Sequence, residues 1–178
     1  IVYRTNIQDY NNRWLNEAQF QVSNTPIYDM LPSLFHHKQS IAFVSKRSGR
    51  SQIFIQHSGE PAQRVTEFAN YRVFRALDVS PNDALLLSAE KNKLTVYALS
   101  ETQAQEKASK AFNYRVVAAL WLSNEKLVAT YRVSCEYYAE VFDSQLNSIK
   151  KLDPKWKTLV VDQSNENTVY ALDMHNKL

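Results

Sequence analysis

Short apolar runs separated by polar clusters fill the chain. IAFV (41–44), QIFIQ (52–56), ALLLS (84–88), LTVYAL (94–99), LVATY (127–131) and YAEVFD (138–143) are brief and rich in Val, Ile, Leu, Phe and Tyr. Runs of this length and composition, bounded by turn residues, predict β-strands rather than helices. The boundaries are FHHKQS, SPNDA, LSNEK and QSNENT before one class of strand, and SKRSGRS and SAEKNK after it. Strand and turn signals recur about every 10 to 12 residues. The one stretch with helical character, SETQAQEKASKAF from Ser100, is better read as a hydrophilic loop leading into an edge strand.

The runs repeat. NYRVFRAL (70–77) returns as NYRVVAAL (113–120), a shift of 43 residues. The same shift aligns Tyr28, Tyr71 and Tyr114, then Leu34, Leu77 and Leu120, then Ile41, Ala84 and Leu127, and finally Ile53, Val96 and Ala139. The opening IVYRTNIQDYNNRWLN matches the first unit with Tyr3 against Phe43 and Trp14 against Phe54, and WKTLVVDQSNENTVYALD places Trp156 where Tyr114 stood. About four strands in each such unit is the arithmetic of a β-propeller blade, a sheet too small to bury its own faces unless it stacks on neighbours. The sequence therefore predicts an all-β domain of four-stranded antiparallel blades. Whole blades are expected over 27–69, 70–112 and 113–155, and partial ones over 1–26 and 156–178. About four blades is the low end for a closed ring, so two consequences are open. Either the chain is a piece of a longer propeller, or its sheet edges pair with another copy in a homo-oligomer.

IAFVSKRSGRSQIFI (41–55) and VSPNDALLLS (79–88) resemble the TolB-like, WD-related propeller repeats of bacterial envelope proteins. Those repeats run as a Ser-Pro-Asp-Gly turn, an Ile-Ala-Phe strand, a Ser-Asp-Arg-Ser-Gly hairpin and then Gln-Ile-Tyr-Val. Ser80, Pro81, Asn82 and Asp83 occupy the turn, and Ser45, Arg47, Ser48, Gly49, Gln52 and Ile53 match the hairpin. Lys46 stands in place of the usual aspartate, and Asn82-Asp83 replaces Asp-Gly. The resemblance covers the first unit well, the second in part, and the third by spacing alone. It implies one of three owners: a TolB-like scaffold, the substrate-gating propeller of an oligopeptidase, or the periplasmic part of a membrane-anchored transcriptional regulator similar to CadC and ToxR.

Composition narrows the chemistry. At 178 residues with 44% hydrophobic and 12% aromatic content, the chain is long enough to bury a core. The net charge of +3 is small and mixed along the sequence, and the lysines of NSIKKLDPKWK are diluted by Asp153 and Pro154, so no nucleic-acid or lipid patch is indicated. No apolar run approaches the roughly 20 residues of a membrane span, and IVYRTNIQDYNN lacks the features of a signal peptide, so the chain reads as part of something larger and any membrane tether is expected outside it. Two glycines, Gly49 and Gly59, exclude glycine-rich phosphate loops, and no Gly-x-Ser-x-Gly elbow is present. The single cysteine, Cys135, lies in the alternating run RVSCEYY and is expected to be buried in a strand. His36, His37, His57 and His175 fall in or near turns, where metal ligation is not expected. Arg47 and Arg50 are expected at a solvated hairpin tip. No cofactor, metal or catalytic group is predicted.

The functional candidates are the aromatic and basic residues at the unit junctions: Tyr28, Tyr71, Arg72, Tyr114, Arg115 and Trp156. Tyr, Trp and Arg dominate binding hot spots. At successive junctions they either pack blade on blade or form a docking rim. Joined to the resemblance, this gives a non-enzymatic sensory or protein-interaction domain in the periplasm, belonging to a regulator similar to CadC and ToxR. Its partner would be a protein or a small signal ligand, with no nucleic acid contacted directly. The alternatives are the TolB-like scaffold and the oligopeptidase propeller.

Overall fold

The computed structural model describes residues 3–4, 20–21, 28–152, 158–161 and 169–172. Every regular element among them is a strand. A pair β1 (Tyr3–Arg4) and β2 (Phe20–Gln21) comes first. Three meandering antiparallel sheets follow: β3 (Asp29–Leu34), β4 (Ser40–Ser45), β5 (Gln52–His57) and β6 (Gln63–Arg64); β7 (Phe74–Val79), β8 (Leu85–Glu90), β9 (Lys93–Leu99) and β10 (Ala104–Ala111); β11 (Arg115–Trp121), β12 (Lys126–Val133), β13 (Glu136–Asp143) and β14 (Ser148–Lys151). A last pair joins β15 (Thr158–Val161) to β16 (Val169–Leu172). The first strands β3, β7 and β11 lie side by side, and the strands of each sheet step outward from them in chain order, which is the arrangement of propeller blades.

Stacking explains the composition of the runs. Alternate residues of a strand face opposite sides, and both sides of the middle blade are covered. On β8, Leu86 packs toward the first blade with Ala42, Val44, Ile53, Val79 and Tyr97, while Leu85, Leu87 and Ala89 pack toward the third with Val116, Trp121, Leu127 and Phe142. Leu85, Leu86 and Leu87 are apolar in succession because neither face meets water there. The outermost strands have no such cover on their free edge. β10 reads AQEKASKA and leaves Glu106 and Lys107 exposed, and β14 (SIKK) is exposed along its length. The helix-like stretch from Ser100 is thus an edge strand, as its polarity predicts.

The blades are sewn together at their innermost strands. The Val79 backbone N–H donates to Ser33 Oγ of the first blade (2.9 Å), and the Trp121 N–H donates to Asp78 Oδ2 of the second (2.7 Å). Trp121 Nε1 adds a bond to the Asp78 carbonyl at 3.1 Å. Ser33, Asp78 and Leu120 therefore occupy one place in successive blades, with steps of 45 and then 42 residues. The uniform shift of 43 captures the modularity and misses this register. Leu34, Leu77 and Leu120 are not equivalent: Leu34 is 58% exposed, Leu77 is buried and Leu120 is half-buried. The cause is connection length: six residues, 46–51, join β4 to β5 where two, 91–92, join β8 to β9, while β3, β7 and β11 each carry the same single extra residue in their bulge. A one-residue slip turns a strand's side chains to the other face.

Candidate interaction face at the blade junctions

One face of the stack carries the 46–51 hairpin, the connection from β6 into β7, the Lys91–Asn92 turn, the link from β10 into β11 and the β12–β13 turn. All of the described junction candidates lie here. Tyr28 and Tyr71 are each 69% exposed, so neither packs blade on blade. Lys46 Nζ lies 5.6 Å from the centre of the Tyr71 ring, close enough for a cation–π contact. Arg115 is exposed at the start of β11, opposite Arg132 across the ladder.

Tyr114 and Arg72 have a different lot. Tyr114 stacks on Tyr131 with centroids 4.1 Å apart, and Tyr131 stacks in turn on Tyr138 at 5.8 Å. Burial and the neighbouring Glu140 carboxylate, which accepts the Tyr131 hydroxyl, push the Tyr131 phenol well above its usual range. Arg72 forms an ion pair with Glu90 at 2.7 Å and lies over the Phe68 ring at 4.0 Å. Structurally it is Arg72, not Tyr71, that corresponds to Tyr114, because Phe74 opposite Glu90 matches Val116 opposite Tyr131. The three aligned tyrosines therefore do not recur at one level. Trp156 lies outside the described residues.

The tip of the 45–51 hairpin is solvated at Ser48, Gly49 and Arg50 as expected, but not at Arg47. Arg47 folds back over the blade, donating through Nη2 to Asp29 Oδ2 (3.0 Å) and through Nε to Ser45 Oγ (3.0 Å), with Phe43 and Phe54 beneath its guanidinium. Arg50 donates to the Ala69 carbonyl. Gly49 holds a φ of +87°, which closes the turn and favours glycine. Cys135 likewise departs from the buried strand position expected: it is exposed in the turn after β12, beside Ser134 with its φ of +55°. The alternation of RVSCEYY is broken by that turn.

The opposite face holds two carboxylates that sequence reading passed over. Asp83 sits in the SPND turn at φ +60°, where the resembled repeats place glycine, and its oxygens accept the backbone N–H groups of His36 (2.6 Å) and His37 (2.8 Å) in the first blade. The side chain thus fastens two blades, which offsets the strained backbone. Asp78 is pushed up to about 6 by burial, against the Trp121 N–H, His36 and Ser33, which all favour its anion. An aspartate inside the apolar strand FRALDV was the available signal. His36 and His37 are exposed in their turn, and His57 Nδ1 lies 2.6 Å from Ser40 Oγ. No cluster of three His, Cys, Asp or Glu side chains suited to a metal ion occurs among the described residues.

No protein-family profile matches the sequence, and no curated protein matches it. Solved structures do. TolB from Acinetobacter baumannii superposes with a TM-score of 0.61 at 16% identity, over 91% of this chain and 45% of its own. An uncharacterized protein from Listeria monocytogenes EGD-e gives 0.57 at 14% identity, over 88% of this chain and 54% of its own. Oligogalacturonate lyase from Vibrio parahaemolyticus gives 0.56 at 11% identity, over 75% and 43%. The fold is a β-propeller arrangement of the TolB kind. This chain spans about half the length of the structures it resembles.

Proposed function

We propose that the chain is a non-enzymatic protein-interaction domain that acts as a scaffold outside the cytoplasmic membrane of a bacterium, docking its partner on the face described above. The observation that carries this is the pair of large, exposed aromatics, Tyr28 and Tyr71, set among the cations Lys46, Arg50 and Arg115. None of these three cations has a salt bridge among the described residues. Exposed Tyr beside Arg is the composition of a docking surface and not of a packed junction. The likeness to TolB supports the scaffold, and the envelope-type repeats support the location.

A photo-crosslinking amino acid placed at Tyr71, and separately at Asn124 on the opposite face, tests this in cells of the source organism. Adducts to one defined protein from position 71 and not from position 124 are expected; equal adducts from both, or none, overturn the reading. The sensory domain of a regulator similar to CadC and ToxR is the narrower form of the same proposal, motivated by a chain with only two glycines and many Asn and Gln. It requires a winged helix and one apolar span encoded upstream, and reading the whole coding sequence decides it.

A further inference from the structure

Between the 46–51 hairpin and the connection into the second blade lies an open cleft of about 460 Å³, lined by residues 48–50, Gln52, Arg64 and residues 67–69. Its floor is already satisfied. Gln52 Oε1 accepts Thr66 Oγ1 (3.0 Å) and the Phe68 N–H (2.9 Å), and its Nε2 donates to the Phe68 carbonyl (3.0 Å). This buried amide fixes the loop and has little left for a ligand. The walls have capacity to spare. Arg50 commits one N–H to Ala69, Arg64 meets Glu67 at 3.3 Å, and a guanidinium carries five donors. Two guanidinium groups against one carboxylate leave the concavity positive, and concave walls concentrate that field. Arg72, though close by, is neutralised by Glu90 and covers one side of Phe68.

We propose that this cleft binds an acidic, extended segment of a partner protein, whose carboxylates fork onto Arg64 and Arg50 and displace Glu67. The Glu67 side chain is 85% exposed and only three residues from Arg64, so it is a weakly held internal stand-in for the incoming carboxylate. Arginine pairs are planar and bidentate, which suits a carboxylate side chain. Tyr71, two residues beyond the cleft-lining Ala69, offers an aromatic surface to a neighbouring apolar side chain of the segment. This inference rests on the docking reading of the face and specifies the partner's chemistry.

The test uses a short fluorescein-labelled peptide of Glu, Asp and Phe, followed by fluorescence anisotropy. Arg64→Gln and Arg50→Gln are each expected to weaken binding by about three-fold or more, and Glu67→Gln to tighten it by about three-fold, because it removes the internal competitor. The melting curves of all three should match the parent's, since the substituted side chains are at the surface. A Gln, Asn and Phe version of the peptide should not bind. Glu67→Gln binding no tighter than the parent overturns the proposal. So does inorganic tripolyphosphate displacing the probe at lower concentration than the unlabelled peptide, which would make the cleft a small-anion site. Crosslinking from position 71 with no peptide binding would sink the cleft and spare the docking reading; peptide binding without crosslinking would do the reverse.

Discussion

Asp78→Asn is the substitution that interrogates the seam between the second and third blades. The carboxyl of Asp78 rises from an ordinary 3.8 to about 6 because burial disfavours its anion more than the Trp121 N–H, His36 and Ser33 favour it. The folded state thus holds the proton more tightly than the unfolded chain does. The stability this contributes is whole below pH 3.8 and is lost as pH rises through about 6. A shift of that size corresponds to about 3 kcal/mol of ionisation cost at neutral pH. Asparagine keeps an oxygen for the Trp121 N–H and cannot ionise. The Trp121 bond is already counted in that net shift, and about 0.5 kcal/mol of the cost is incurred by pH 4, just above the unfolded value. The variant is therefore expected to be more stable than the parent by about 2.5 kcal/mol near pH 7.5, and nearly equal to it near pH 4. Urea unfolding followed by tryptophan fluorescence at both pH values measures the difference, in which all other titrating groups cancel to first order. A variant less stable than the parent by the same amount at both pH values would refute the reasoning, showing that Asp78 serves as a charged acceptor whose burial is fully compensated.

Other outcomes follow from the same contacts. Asp83→Ala removes the acceptor of the His36 and His37 N–H groups and should cost about 2 kcal/mol in urea unfolding, whereas Asp83→Asn, which tolerates the positive φ and keeps one acceptor, should cost less than half of that. Arg47→Lys should lose about 1–3 kcal/mol, because an ammonium cannot reach Asp29 and Ser45 together while lying over Phe43 and Phe54. Tyr71→Ala should leave the urea midpoint unchanged within about 0.5 kcal/mol, while Arg72→Ala should lower it, since only Arg72 is engaged by Glu90 and Phe68. Cys135 should react fully with a maleimide in the native state, with no added denaturant, as its exposure requires.

The strands and the blade modularity were legible because the physics behind them is local. Runs such as IAFV and ALLLS are apolar on both faces, and SPNDA and SKRSGRS are turn residues. Register was not legible, because a connecting turn gains or loses residues without altering the strands it joins. The 46–51 hairpin and the Lys91–Asn92 turn differ by four residues, and with one residue regained elsewhere in the second unit they set steps of 45 and 42. The same slip assigned Tyr114 to Tyr71 when its structural counterpart is Arg72. Arg47 and Arg50 sit in a hairpin that reads as solvated, and only the folded chain brings Asp29 and Ala69 to them. The roles of Asp78 and Asp83 are long-range by nature, since each carboxylate bonds a neighbouring blade.

The seam at Ser33, Asp78 and Trp121 asks very little of the chain. One short side chain with an oxygen, placed anywhere it can meet the next backbone N–H, closes the joint, and serine and aspartate both serve. A copy of the unit can therefore gain or lose residues and exchange most of its letters while the geometry of the joint survives. So loose a requirement lets chains share a shape while sharing few letters, and this chain and TolB have the same fold with 16% of residues identical over 91% of this chain.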